Sequence, residues 1–273
     1  MNKLDNIKDI VAVASGKGGV GKSTTAVNLA VALGTLGKNV GLLDADIYGP
    51  SLPLMLGVKP GTRPQIKDQK YMVPISAHGV ECNSMGFLVD EDTPMVWRAP
   101  MIVSAFKQIL TDTAWSELDY LIVDMPPGTG DIPLSLAQSV SVSGAVIVTT
   151  PQDVALMDAR KGIELFKKVD VPLLGVVENM STHVCSNCGH EEAIFGSGGG
   201  ESLSEDYGTE VIGRLPLDLT IREQTDYGYP VVASSPAHAA AKAYLQLAEN
   251  VDRRVGKLHS EGSTGPKITI SND

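Results

Sequence analysis

From residue 16 to residue 23 the chain reads G-K-G-G-V-G-K-S, and this stretch limits the fold more than any other feature. It follows an apolar run, residues 10–14, that reads as a buried strand. It precedes residues 22–36, which are rich in helix formers such as Ala26, Leu29 and Ala30. Glycines at Gly16, Gly18, Gly19 and Gly21 let the backbone turn so that its N–H groups, that of Val20 included, face inward on one anion. The helix that starts near Lys22 adds the positive end of its dipole. Lys22 is then placed to reach the β- and γ-phosphates of a nucleotide, and Ser23 to hold Mg2+ through its hydroxyl, with Thr24 beside them in the first helical turn. The expectation is a bound ATP with Mg2+.

Further short apolar runs recur at residues 40–43, 120–123, 145–148, 173–177 and 211–215. Helix-like stretches lie between them at 102–111, 133–140, 154–168 and 237–255. Strands alternating with helices imply right-handed crossovers. The fold class is therefore α/β, a doubly wound, mainly parallel sheet with helices on both faces. Residues 1–255 read as a single domain and 256–273 as a disordered tail. Residues 50–100, rich in Pro and Gly, read as a loop insertion beside the sheet with at most a hairpin, and 197–200 as a flexible connector. No run approaches the ~18 apolar residues of a membrane span, so a cytoplasmic protein is expected. A net charge of −10 argues against nucleic acid and anionic membrane as partners.

Two further acidic segments follow strands. Asp44 and Asp46 come after residues 40–43, at the carboxyl edge where ligands bind in such sheets, and one carboxylate there can serve Mg2+ while a second orients water. D-M-P-P-G-T-G-D, residues 124–131, follows the strand 120–123. Asp124 is placed to bind Mg2+ through water, and Gly128 and Gly130 permit a mobile loop.

Lys17, one residue after the first glycine, resembles the signature lysine of the deviant Walker A ATPases. That family includes the partitioning and division-site ATPases of the ParA/MinD kind and the iron–sulfur cluster carriers. The resemblance implies that Lys17 reaches the nucleotide of a partner subunit, so that a homodimer sandwiches ATP. It also implies that Asp46 positions water while Asp44 supports the metal, which makes Lys17, Lys22, Asp46 and Asp124 the catalytic set of an ATPase. For the adenine it suggests Asn179 and the stretch around Pro216, Asn having the donor and acceptor that a base edge needs.

Of three cysteines, Cys82 stands alone and reads as a buried filler. Cys185 and Cys188 form a C-x-x-C within T-H-V-C-S-N-C-G-H, residues 182–190. A redox pair, a zinc site completed by His183 or His190, and an iron–sulfur cluster shared between two chains all remain open, since two thiolates supply half of a four-ligand set. The phosphate loop, D-A-D-I-Y-G-P-S (44–51), S-M-G-F-L (84–88), D-M-P-P-G-T-G-D, E-N-M-S (178–181) and the C-x-x-C together resemble the Mrp/ApbC/Nbp35 iron–sulfur cluster carriers over residues 8–255. What that implies is a labile 4Fe–4S cluster bridging two subunits through Cys185 and Cys188. Its partners would be apo iron–sulfur proteins and cluster scaffold proteins, and its ATP hydrolysis slow. With no cysteine before the phosphate loop, a second, stable cluster is not expected. The competing expectation is a ParA/MinD-like positioning ATPase with zinc or no metal at the thiols.

Overall fold

The computed structural model describes residues 4–47, 49–88, 98–185 and 187–262. In chain order its elements begin with β1 (Ile7–Ala14), α1 (Lys22–Thr35), β2 (Val40–Asp44) and the short α2 (Leu52–Met55). Next come β3 (Ile66–Lys67) and β4 (Tyr71–Met72), a separate small ribbon, then β5 (Ile75–Ala77), β6 (Val80–Ser84) and α3 (Ala99–Thr111). The middle holds β7 (Leu118–Asp124), α4 (Asp131–Ser139), β8 (Gly144–Thr149), α5 (Asp153–Lys168) and β9 (Leu173–Val184). The last part holds β10 (Glu191–Glu192), α6 (Gly199–Tyr207), β11 (Val211–Leu217), α7 (Leu219–Asp226), α8 (Val231–Ser234) and α9 (Ala239–Gly262).

The main sheet runs β10-β9-β8-β1-β7-β2-β6-β5, with β11 also paired to β9. Pairing is parallel from β11 through β9, β8, β1, β7 and β2 to β6, and antiparallel where β5 and β10 attach. Strand side chains alternate between two cores. On β1, Val11 and Val13 pack with α1, α8 and α9, while Ile10, Ala12 and Ala14 pack with α3, α5 and their neighbours. The period of two thus divides the apolar strands between both faces, which is why they read as continuous hydrophobic runs. Phe106 of α3 has no exposed surface. Its replacement by Ala should lower the unfolding free energy by about 3–5 kcal/mol in a denaturant titration and leave nucleotide affinity unchanged. A loss under ~1 kcal/mol would mean that α3 is not seated on the sheet as described.

Three expectations are corrected. Residues 80–84 are a strand of the main sheet, parallel to β2, rather than part of an insertion beside it. Its apolar pattern is broken by Asn83 and Ser84, both buried, and Asn83 is satisfied by its Nδ2–H donating to Thr113 Oγ1 at 2.7 Å. Residues 197–200 are not a free connector, because Gly198 is the left-handed cap of α6 and the helix starts at Gly199. The tail expected from 256 is helical to Gly262, since Val251 and Val255 are buried, Leu258 packs on the same core, and His259 Nε2 lies 2.9 Å from Asp9 Oδ1. The remainder of that expected tail, 263–273, lies outside the described residues. Among the described residues no helix is long and apolar enough to cross a membrane.

Candidate nucleotide site and thiol loop

β1, β2 and β7 are adjacent, so the ends that carry Ser15, Asp44 and Asp124 converge on one edge of the sheet. Between β1 and α1 the loop turns through Gly19 and Gly21, with φ of 81° and 82°, a region that side-chain-bearing residues rarely adopt. Gly16 is fixed for another reason: a Cβ there would lie 2.0 Å from the Asp158 carbonyl carbon, so the loop is seated directly on the backbone of α5. Asn179, at the end of the sheet-core part of β9, donates from Nδ2 to the Val20 carbonyl at 2.8 Å and fills the space above Gly21. The Gly128 N–H donates to the Ser15 carbonyl at 2.9 Å, which ties the loop after β7 to the phosphate loop.

Lys22 is buried, and its Nζ lies 2.6 Å from Asp124 Oδ1 and 3.1 Å from Ser23 Oγ. Asp124 has no exposed surface, and its Oδ2 has no hydrogen-bond partner among the described residues. Burial raises the Asp124 carboxyl above the usual carboxylate range, against the pull of Lys22. Asp44 stands beside Asp124 in register and is equally buried. Its Oδ1 accepts the Asp46 N–H at 3.1 Å, and its Oδ2 accepts the Leu52 N–H at 3.3 Å and the Ser84 hydroxyl at 3.0 Å. Burial first, and then the charge of Asp124, pushes Asp44 up to about 7. Asp46 is half-buried and borders a cavity of about 470 Å³. Pro126, Pro127, Gly130 and Asp131 line it from the loop after β7, and Ile102 and Val103 from α3. The two acidic loops therefore share one cavity wall. Lys17 is half-buried at the loop's outer edge, beside exposed Gly18 and Gly19, and makes no ion pair among the described residues. Thr24 is half-buried in the first turn of α1. Pro216 lies in β11 at a shift of register, next to Leu215, which pairs with Asn179.

β9 continues past Asn179 into the hairpin with β10, and Cys185 and Cys188 sit at its turn. The turn is closed by Cys185 N–H to His190 O at 2.9 Å and Gly189 N–H to Cys185 O at 2.8 Å. Cys188 is exposed and Cys185 half-buried. The N–H of Asn187, then that of Cys188 and its side chain, hold the Cys185 thiol below its usual range. His183 turns its Nδ1 to the Leu217 carbonyl at 3.2 Å, and no group of three His, Cys, Asp or Glu among the described residues could hold a metal. The zinc site completed within one chain is thus not assembled by these residues. Cys82 is buried in the core, and burial, then Asp44, pushes its thiol up to about 12. The motifs quoted from the sequence begin at Ser84 and Glu178 but gave neither residue a role; Ser84 donates to Asp44, and Glu178 Oε2 accepts the Gly200 N–H at 2.6 Å.

The sequence profile of the ParA family described as the NUBPL iron-transfer P-loop NTPases matches residues 6–252. The chain belongs to this family. Among relatives of this NTPase, the iron-sulfur cluster carrier protein of Pseudomonas fragi is 63% identical over 245 residues, covering 90% of this chain and 85% of the other. A solved nucleotide-binding protein of Archaeoglobus fulgidus, in complex with ADP, is 38% identical with a TM-score of 0.72, over 83% of this chain and 88% of that one. The Pyrococcus furiosus cell division ATPase MinD is 26% identical with a TM-score of 0.66, over 90% of this chain and 98% of that one. This iron-transfer NTPase therefore shares the doubly wound fold of MinD and stands far nearer in sequence to the cluster carriers.

Proposed function

We propose that this NTPase carries an iron–sulfur cluster as cargo, holds it between two copies of the chain through Cys185 and Cys188, and passes it to apoproteins under the control of ATP. One observation carries the reading. Two thiols sit together on an accessible turn, and among the described residues they belong to no group of three His, Cys, Asp or Glu that could hold a metal; that arrangement suits a shared cluster better than a closed cage. The family's iron-transfer role and the cluster carrier from Pseudomonas fragi support it. A cytoplasmic carrier delivering to apo iron–sulfur proteins, and receiving from scaffold proteins, fits the same reading. Positioning in the MinD manner gives the thiols no task.

The residues at the sheet edge fit a nucleotide with Mg2+, because Asp124 Oδ2 is a buried carboxylate oxygen without a partner among the described residues, while Lys22 bridges Asp124 Oδ1 and the Ser23 hydroxyl. Ser23 and Asp124 would hold the cation, which supplies positive charge between the β- and γ-phosphates. Lys22 leaves Asp124 Oδ1 to meet the phosphates, the N–H groups of residues 16–23 cradle them, and Asp46 orients water from the cavity side. Asn179 and Pro216 flank the base. Lys17, which makes no ion pair among the described residues, completes the pocket of the partner copy.

Anaerobic reconstitution with ferrous iron and sulfide, followed by size-exclusion chromatography and iron analysis, should give a brown dimer with about four irons per two chains. A zinc-loaded, colourless protein that takes up no iron would overturn the proposal. For the trans lysine, Lys17→Ala should keep ATP affinity within about threefold and lower turnover by ~100-fold or more, the loss expected when a charge aimed at the transferring phosphoryl is removed. Equal loss of affinity and turnover would place Lys17 in its own subunit's site instead.

A further inference from the structure

The loop that delivers Asp46 to the cavity is tied at both ends to a single buried group. Asp44 accepts the Asp46 N–H through one oxygen and the Leu52 N–H through the other. The carboxyl thus holds Asp46 and Leu52 together as a clasp holds the two ends of a strap. The hydroxyl of Ser84 holds that clasp from the neighbouring strand. Asp44 and Ser84 are direct partners across β2 and β6, and the Ser84 Oγ lies 3.0 Å from Asp44 Oδ2. The same Oγ accepts the Gly86 N–H at 2.9 Å, which leaves its single proton for the carboxyl. Ser84 is 1% exposed, so no water replaces this bond if it is lost.

We propose that Ser84 is a positioning residue for ATP hydrolysis, fixing the Asp44 carboxyl so that its bonds to Asp46 and Leu52 set Asp46 at the cavity wall. This assigns Asp44 to the loop rather than to the metal that its place in the sequence suggests, because both of its oxygens are already taken by donors of the chain. The inference rests on the reading of Asp46 as the water-orienting group. Displacement of such a group by about 1 Å costs on the order of 100-fold in rate without weakening ground-state binding.

The test compares wild type, Ser84→Ala and Ser84→Thr in the full chain. Ser84→Ala should keep ATP affinity within about threefold and cut kcat by ~10- to 100-fold, and Ser84→Thr, which retains the hydroxyl, should restore most of the rate. Amide exchange of the nucleotide-free protein should show Asp46 and Leu52 opening about fivefold faster in Ser84→Ala, with strands β1 and β7 unchanged, as loss of one buried hydrogen bond implies. A wild-type kcat in Ser84→Ala would overturn the proposal, as would affinity and kcat falling together or faster exchange spread over the whole sheet. If wild type itself hydrolyses no ATP, the reading of Asp46 fails by that result alone. The exchange at Asp46 and Leu52 then decides separately whether Ser84 holds the loop.

Discussion

Replacing Cys185 and Cys188 together by Ser should give a protein that binds ATP with wild-type affinity and takes up no iron–sulfur cluster. The effect on cargo is expected to be complete, because these are the two cysteines outside the core and no other group of three His, Cys, Asp or Glu among the described residues could hold a metal. The effect on fold is expected to be small. Both side chains lie on the turn beyond the sheet, and its closing bonds, Cys185 N–H to His190 O and Gly189 N–H to Cys185 O, are made by backbone. Absorption of the reconstituted protein in the visible range checks the first half, and nucleotide titration the second. Retention of half the iron by the double variant would move the cargo to other ligands. Loss of ATP affinity would mean that the hairpin supports the nucleotide site.

The second large effect is expected at Lys22. Lys22→Ala should abolish measurable ATP binding, since it removes the cation that meets the phosphates. It should also cost about 3–5 kcal/mol of stability near neutral pH, because it strands the Asp124 carboxylate with no exposed surface. The pH dependence follows from sign. Burial already raises Asp124, and losing Lys22 raises it further, so the unfolded chain ionises first as pH increases. The penalty relative to wild type is therefore absent while Asp124 is protonated in both folded proteins, and it grows as pH rises above the wild-type carboxyl's own raised range. Lys22→Ala/Asp124→Asn should recover most of the stability and none of the ATP binding. Calorimetric titration and denaturant melts at two pH values separate these outcomes. A double variant as unstable as the single one would show that Lys22 packs rather than pairs.

Much of this molecule could be read before any coordinate was known, and what could be read was local. Strand, glycine loop and helix around Gly16–Ser23 are contiguous, and the acids Asp44, Asp46 and Asp124 follow their strands directly. What escaped depended on contacts between distant parts of the chain. β6 hid because Asn83 and Ser84 interrupt its apolar run, and the groups that make their burial tolerable, Thr113 and Asp44, lie about thirty and forty residues away. The glycines at 198–200 read as slack, yet Gly199 is pressed by Leu156 and the Pro151 carbonyl and Gly200 by Glu178. A disordered tail was expected from Gly256, and the helix passes through it because Val255 and Leu258 still find the core on either side. Asp44 was read with its neighbour Asp46 as support for a metal, whereas Ser84 of β6 and Leu52 also donate to its carboxyl.

β9 is one uninterrupted strand from Leu173 to Val184, with Asn179 held to the Val20 carbonyl partway along and the thiols just past its end. Between them Met180 adopts a left-handed φ of 56°, and the pairing with β11 skips from Leu215 opposite Asn179 to Leu217 opposite His183. The length of this short span is therefore a tighter constraint than its composition. Adding or deleting one residue there would turn every following side chain to the opposite surface and carry Cys185 and Cys188 away from any mate across a twofold axis. A change in the count of this bridge should therefore cost more than a change in its letters.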